Sequence, residues 1–133
     1  MQFRELSSSE LDEGFALLSS LRFELSFDQF KTFLNTHSPH TYRPVGAFER
    51  GELKIYAGVS IHENLEMGRY LLIDDFVARE GGEPHVREMI GFLEDYAKMH
   101  RCRAVVLWGS HRGIKLDHLG GFRPKRDGFI KTL

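Results

Sequence analysis

The strongest constraint on this chain is one helical pattern set between two strand-like stretches. Apolar side chains recur at helical spacing and so share one helix face; they are Val86, Met89, Ile90, Leu93, Tyr96 and Ala97. The stretch "LLIDDFV" precedes this pattern and "RAVVLW" follows it, and both have the length and apolar content of buried strands. A strand, a helix and a second strand predict a right-handed crossover between two parallel strands.

The segments before this unit predict a strand and two helices. "MQFREL" has the pattern of a first strand, and "SSSELDEGFALLSSLR" carries leucines and a phenylalanine at helical spacing behind serines that can cap the start. In "LSFDQFKTFLNTH", Ser26 and Gln29 have the spacing of a capping box. A second short helix is therefore expected to begin just after Ser26.

From Tyr42 onward the pattern changes to strands. "YRPVGAFERGELKIYAGVSIHENLEMGRYLLIDDFVAR" predicts three strands joined by the turn segments "ERGE" and "HENLEMG". Links this short predict antiparallel neighbours. Near the end, "IKLDHLGG" predicts a short helix stopped by two glycines, and "FRPKRDGFIKTL" predicts a final hairpin or strand.

The predicted element order is β-α-α-β-β-β-α-β-α-β. This order indicates an α/β (α+β) fold with a mixed, mostly antiparallel central sheet flanked by helices. The 133 residues contain no internal repeat or low-complexity linker, and a chain of this length suits one core. We therefore expect a single domain over residues 1–133.

Charge and hydropathy narrow the class of partner. The chain has 18 Lys plus Arg against 19 Asp plus Glu, so it lacks a net basic field that would attract nucleic acid or an anionic membrane. No apolar stretch approaches the ~20 residues of a membrane-spanning helix, and "MQFRELSSSELDEG" lacks the order of a secretory signal. We expect a cytoplasmic protein without nucleic acid or membrane partners. The single cysteine, Cys102, is expected to be a small buried hydrophobe.

The turn "AREGGEPHV" between the first crossover strand and the helix is a candidate anion site. Gly81 and Gly82 precede a predicted helix N-terminus, where unpaired N–H groups and the helix dipole favour a phosphate. Pro84 removes one N–H group from this region. Glu83 brings a negative charge toward the same place. The sequence thus predicts an anion-binding turn in an altered form.

Element order and residues together resemble the GCN5-related N-acetyltransferase (GNAT) family. "VGAFERGELKIYAGVSI" is similar to that family's second and third strands, and "GRYLLIDDFVARE" to its fourth. "VREMIGFLEDYAKMHRCRAVVLW" is similar to its crossover helix and fifth strand, and "LGGFRP" to the Gly-Phe after its last helix. "ENLEMGRYLLIDDFV" further resembles a bacterial subgroup of small acetyltransferases. The resemblance covers essentially the whole chain and implies a GNAT-like sheet.

The resemblance implies that acetyl-CoA is the co-substrate. In that family the fourth strand offers backbone groups to the pantetheine arm, and a turn of the form Arg or Gln, two residues, Gly-x-Gly or Gly-x-Ala binds the pyrophosphate. Here Pro84 takes the place of the second glycine. Ser110 ends the fifth strand, at the edge where open sheets place ligands. The positions expected to contact the coenzyme are Phe76, Val77, Gly81, Gly82, Val86, Arg87 and Ser110.

Asp74 and Asp75 are the main candidates for a general base, because a carboxylate can take the proton of an attacking amine directly or through water. Side chains alternate along a strand, so only one of the two is expected to face a cleft. The alternative interpretation is a charge pair with Arg69 or Arg79, or charges that keep a sheet edge soluble. Glu63, at the end of the preceding strand, is the third candidate base.

The general acid is harder to identify. The family often carries a tyrosine four residues before the Gly-Phe glycine, where it protonates the departing thiolate. Counting back from Gly121 reaches Asp117, so the neighbouring His118 is the candidate acid, because histidine titrates near neutral pH. His111, Asp117 and His118 do not make a convincing metal site, since the sequence places no further ligand beside them. We expect no metal.

Two functions follow from these residues. The leading hypothesis is an acyl-CoA dependent N-acetyltransferase that acts on an amine of a small molecule or peptide. The alternative is a catalytically degenerate GNAT-fold module that binds or regulates a partner without using acetyl-CoA, because the altered features lie at the chemistry. The sequence leaves open the acceptor, and whether the chain forms a homodimer or binds another protein.

Overall fold

A computed structural model describes residues 1–21, 24–38, 41–124, 129 and 131–133, without the side chains of residues 109, 110 and 116. Its strands are β1 (Gln2–Glu5), β2 (Arg43–Glu49), β3 (Glu52–Asn64), β4 (Gly68–Ala78) and β5 (Ala104–Arg112). Its α-helices are α1 (Leu11–Leu18), α2 (Phe27–His37) and α3 (Val86–Met99). Short 3-10 helices span Ser8–Glu10, Glu83–His85 and Leu116–Leu119.

The strands form one sheet in the order β1-β2-β3-β4-β5. Neighbours are antiparallel from β1 to β4, and β4 and β5 are parallel. Helix α3 connects these last two strands, as a parallel pair requires. The predicted class, a mixed and mostly antiparallel sheet flanked by helices, is confirmed, and so is the element order from β1 to β5.

Helices cover both faces of the sheet. On one face the residues predicted from the helical period pack against the strands, and all of them except the half-buried Tyr96 are buried: Val86, Met89, Ile90, Leu93 and Ala97. On the other face α1 and α2 contribute Leu17, Leu18, Phe30 and Leu34 to a second core cluster. Alternation along β3 divides its side chains between the faces, since Tyr56 joins the second cluster while Ile55 and Ala57 join the first.

The capping box predicted for α2 is confirmed. The backbone N–H of Gln29 donates to Ser26 Oγ at 3.1 Å, and the N–H of Ser26 donates to Gln29 Oε1 at 2.8 Å. Each bond satisfies a donor that the first helical turn leaves unpaired. The start of α2 is therefore fixed by local sequence, and it positions one wall of the cavity described below.

In the residues that the structure describes after β5, the chain is less regular than predicted. The helix expected over "IKLDHLGG" is a single 3-10 turn, Leu116–Leu119, bounded by Gly113 and Gly121, which both have positive φ. The predicted final hairpin or strand includes residues 125–128 and 130, which lie outside the described residues. The remaining residues after 121 that the structure describes have no regular secondary structure. In the described part of the chain no helix combines the length and apolarity needed to cross a membrane.

Candidate active site

A bulge in β4 determines where its two aspartates point. Gly58 of β3 pairs with Asp75 and Val59 pairs with Ile73, so Asp74 is an extra residue between paired positions. The pairing of β4 with β5 shifts at the same place. Asp74 and Asp75 consequently line the same cavity. The expectation that only one would face a cleft is wrong, because the bulge interrupts the alternation on which it rested.

The cavity lies between the sheet and the pair α1 and α2 and has a volume of about 710 Å³. Its apolar wall is formed by Leu18, Leu25, Phe30 and Phe33. The polar residues that line it besides the aspartates are Gln29, His37, Thr41, Tyr42, Ser60 and His62. A cavity of this size that combines an apolar wall with a few polar groups is typical of small-molecule sites.

Asp75 is held by a buried tyrosine pair. Asp75 is only 5% exposed, and Tyr42 donates its hydroxyl to Asp75 Oδ2 at 3.2 Å. The hydroxyls of Tyr42 and Tyr56 are 2.7 Å apart, and since Tyr42 donates to the carboxylate, Tyr56 donates to Tyr42. Burial raises the pKa of Tyr42 well above its usual value, with further contributions from Tyr56 and Asp75. Tyr42 therefore keeps its proton and remains a donor at physiological pH.

Gly58 leaves the space that Tyr42 occupies. A methyl group at position 58 would overlap the Tyr42 hydroxyl and ring. The residue that pairs with Asp75 across the strands is thus also the one that lets Tyr42 reach it. Sequence reasoning assigned no role to Tyr42 or Gly58, because their contact depends on the register in which β2 pairs with β3.

Asp74 is connected to the protein surface through two side chains of β3. Ser60 donates its hydroxyl to Asp74 Oδ2 at 2.7 Å, and His62 Nε2 lies 2.8 Å from Ser60 Oγ. Because the one hydroxyl proton of Ser60 is used toward the carboxylate, His62 donates from Nε2. His62 is exposed and stacks on Tyr70 with ring centroids 5.7 Å apart. Once Asp74 carries a proton, both bonds can reverse, so that Asp74 donates to Ser60 and Ser60 donates to the unprotonated Nε2 of the other neutral form of His62, and a proton then passes from Asp74 toward solvent.

In the glycine turn after β4, four N–H groups are used within the turn itself. Gly81 donates to Glu83 Oε2 at 3.0 Å, and Gly82 donates to the carbonyl of Arg79 at 2.8 Å. His85 donates to the Gly82 carbonyl and Val86 to the Glu83 carbonyl. The carboxylate of Glu83 therefore lies where an anion would receive the Gly81 N–H. The negative charge predicted for this turn is in direct contact with its donor group.

Gly82 is required by a close approach of two backbones. A Cβ atom at position 82 would lie 2.6 Å from the carbonyl oxygen of Lys54, a separation that ordinary side chains do not tolerate. Gly81 has φ +88°, a region in which glycine carries no steric penalty. Both glycines thus serve the shape of the turn, whatever it binds.

Arg79 is a residue that sequence reasoning missed at this turn. It lies three residues before Gly82, which is the spacing of the Arg or Gln in the family turn quoted above. Its Nη1 donates to Glu52 Oε1 at 2.9 Å, and its Nε is buried with no partner among the described residues. Lys54 and then Arg79 lower the pKa of the Glu52 carboxyl. Because Pro84 takes the place of the second glycine, Gly82 is the first, and counting back three residues from it reaches Arg79; the interpretation that no Arg or Gln leads this turn was wrong.

The other predicted coenzyme positions surround the parallel strands. Phe76, Val77 and Val86 are buried, so their backbone groups and not their side chains are the groups they can offer a ligand. Ser110 pairs opposite Asp75 in the register of β4 and β5, and its side chain lies outside what the structure describes. Arg87, on the first turn of α3, donates from Nη2 to the Asp117 carbonyl at 2.8 Å.

The remaining candidates lie away from the cavity. Glu63 is exposed near the end of β3, opposite Arg69 in the register. Arg69 Nε donates to the carbonyl of His100 at 2.6 Å. His118 Nδ1 accepts the Lys115 N–H at 3.0 Å, so the proton of its neutral ring is on Nε2.

Among the described residues, no three His, Cys, Asp or Glu side chains come together as metal ligands. Cys102 is half-buried, and burial raises the pKa of its thiol. A thiol of this kind is a weak nucleophile near neutral pH.

Comparisons with known proteins agree on the fold. No family model and no curated protein matches the sequence. A ribosomal-protein-alanine N-acetyltransferase from Brucella melitensis is 18% identical, with all of both chains covered and a TM-score of 0.79. A GNAT family acetyltransferase from Staphylococcus aureus is 17% identical, with 99% of this chain and 98% of that chain covered and a TM-score of 0.75.

A third similar structure is an aminoglycoside N-acetyltransferase in complex with CoA, 14% identical, with 98% of this chain and 93% of that chain covered and a TM-score of 0.75. Identities this low establish the fold alone. The chain therefore has the fold of the GNAT acetyltransferases, as its sequence resemblance implied.

Proposed function

We propose that this chain, which has the fold of the GNAT acetyltransferases, is an acyl-CoA dependent N-acetyltransferase that acts on an amine of a small molecule or peptide. The observation that carries the proposal is the placement of Asp74 and Asp75 in one cavity, at the bulge of β4, the strand that pairs in parallel with β5. Asp75 lies opposite Ser110, close to the end of β5, and open sheets bind ligands near the ends of their parallel strands. A carboxylate in such a cavity can accept the proton of an amine.

Asp74 is the better base of the two. An amine that attacks a thioester loses a proton as its N–C bond forms, and a base within hydrogen-bond reach accepts it. Asp74 is half-buried and connects through Ser60 to the exposed His62, so a proton taken there has a route to solvent. Asp75 is buried behind Tyr42 and is better suited to orienting the amine.

The proposal requires a place for acetyl-CoA, which when bound supplies the activated acetyl group. Gly81, Gly82 and Arg79 occupy the positions of the family's pyrophosphate turn, and this supports the fit. Glu83 opposes it, because its carboxylate accepts the Gly81 N–H and repels phosphate. Coenzyme binding therefore requires the Glu83 side chain to turn away from Gly81.

His118 must gain a second ring proton before it can act as the general acid. Its Nδ1 accepts the Lys115 N–H, so a second proton on the ring breaks this bond. The leaving thiolate receives its proton either from His118 after that change or from water.

Replacing Glu83 with alanine is expected to tighten CoA binding about tenfold. The change releases the Gly81 N–H, which can then donate to a phosphate. It also removes a negative charge close to that phosphate. Repulsion between two such charges costs ~1 kcal/mol in water and more near a protein surface. Calorimetry with CoA measures the effect. Glu80→Ala is the matched control, because Glu80 is exposed one residue before Gly81; it should change Kd less than threefold. Equal affinity of wild type and Glu83→Ala would contradict a role of Glu83 in closing the turn.

The contact between Glu83 and Gly81 also favours a second candidate function, a GNAT-fold module that binds or regulates a partner without acetyl-CoA. Thermal unfolding separates the two, because a ligand of the native state at 100 times its Kd stabilises it by about 2.7 kcal/mol. An enzyme should show a higher Tm with acetyl-CoA and should release thiol from it with a panel of amines. An unchanged Tm together with no thiol release would favour the binding module.

A further inference from the structure

The cavity between the sheet and helices α1 and α2, taken as the acceptor site, has an apolar wall and a floor formed by Asp74 and Asp75. Leu18 and Phe30 are 3% and 2% exposed and form the inner part of the wall, while Phe33 is 43% exposed and stands at the rim. Phe33 also packs edge-on against Tyr42 at 5.0 Å between ring centroids. Apolar side chains on one wall favour a ligand whose body is itself apolar.

The floor provides a place for one cationic group. Asp74 and Asp75 are consecutive residues of the bulge, and hydrogen bonds from Ser60 and Tyr42 hold their carboxylates in position. Oriented carboxylates bind an ammonium group by charge-assisted hydrogen bonds. The described lining residues include no Lys or Arg, and the two carboxylates repel a phosphate or carboxylate placed beside them.

From these two features we infer that the acceptor is a primary monoamine carried on an apolar aliphatic or aromatic body. Its ammonium group lies between Asp74 and Asp75, and its body lies against Leu18, Phe30 and Phe33. A polyamine or aminoglycoside would place further charges on the apolar wall, and a sugar phosphate would bring an anion to the acidic floor. The inference rests on the proposed function, because it takes this cavity as the acceptor site.

Binding of small probes to the full chain without acetyl-CoA tests the inference directly. The probe is 2-phenylethylamine, compared with 2-phenylethanol, which lacks the charge, and with ethylamine, which lacks the body. We expect saturable binding of 2-phenylethylamine at roughly millimolar concentration or below. Each of the other two should bind at least tenfold more weakly. Equal binding of the alcohol, equal binding of ethylamine, or no saturable binding of 2-phenylethylamine would overturn the inference.

Substitutions in the cavity test whether the probes bind there. Asp74→Asn should weaken 2-phenylethylamine at least tenfold and leave 2-phenylethanol unchanged, while Asp95→Asn on the exposed side of α3 should change neither. Phe33→Ser should weaken both probes, while Met99→Ser, which also removes an exposed apolar side chain, should not. If Asp74→Asn and Phe33→Ser bind like wild type, the amine is bound elsewhere and the inference fails.

Acetylation of the amine is measured separately from its binding. A chain that binds 2-phenylethylamine as described but never acetylates it would contradict the proposed function and support the assigned ligand class. A chain that acetylates ethylamine as efficiently as 2-phenylethylamine would support the proposed function and contradict the ligand class.

Discussion

Replacing Asp74 with asparagine is expected to lower the rate of acetyl transfer by ~100- to 10,000-fold, the usual share of a general base. Asparagine has nearly the shape of aspartate, and its side-chain oxygen can still accept the Ser60 hydroxyl, which lies 2.7 Å from Asp74 Oδ2. The fold should therefore survive, while the group that accepts the proton of the amine is lost. The measurement is thiol release from acetyl-CoA with saturating amine, and melting curves confirm that the variant is folded.

Asp95→Asn is the charge-matched control for this experiment, because Asp95 is exposed on α3, on the opposite face of the sheet from the cavity. Its rate should stay within twofold of wild type. An Asp74→Asn protein with full activity would show that another group takes the proton. A loss confined to kcat would place Asp74 in the chemical step, whereas a rise in KM alone would limit it to binding the amine.

The sequence predicted those parts of the fold that depend on residues close together in the chain. The face of α3 followed from a 3.6-residue period, and the start of α2 followed from Ser26 and Gln29, because both depend on residues three or four apart. The bulge at Asp74 depends instead on how β4 pairs with β3 and β5. Nothing in "LLIDDFVA" indicates which residue is left between paired positions, so the alternation rule failed there.

The same difference between local patterns and long-range contacts is found in the candidate site. The aspartates and the turn glycines were found because their residue types and positions are informative by themselves. Tyr42 and Ser60 were not, although each donates to one of the aspartates, because the two contacts join β4 to residues 14 and 33 positions away in the sequence. The sequence predicted that Glu83 brings a negative charge to the turn. It did not predict that the Glu83 carboxylate accepts the Gly81 N–H, because that contact depends on the conformation of the side chain.

The second large effect concerns stability. Leu93→Ala is expected to lower the free energy of unfolding by about 2 to 5 kcal/mol, because it removes buried methyl groups and leaves a cavity between α3 and the sheet. Leu93 has 0% exposure and belongs to the core cluster on that face. Urea unfolding with a linear extrapolation measures the difference.

Gly91 provides the matched control two residues earlier on the same helix, and it should respond in the opposite direction. An added Cβ at position 91 meets nothing within 4 Å, and alanine is favoured over glycine in a helix interior by about 0.5 to 1 kcal/mol. Gly91→Ala should therefore stabilise the protein by that amount. If Leu93→Ala costs less than about 0.5 kcal/mol, as a surface substitution does, then Leu93 does not face the sheet. Destabilisation by Gly91→Ala would lead to the same conclusion, since both results would mean that α3 is rotated from the position described here.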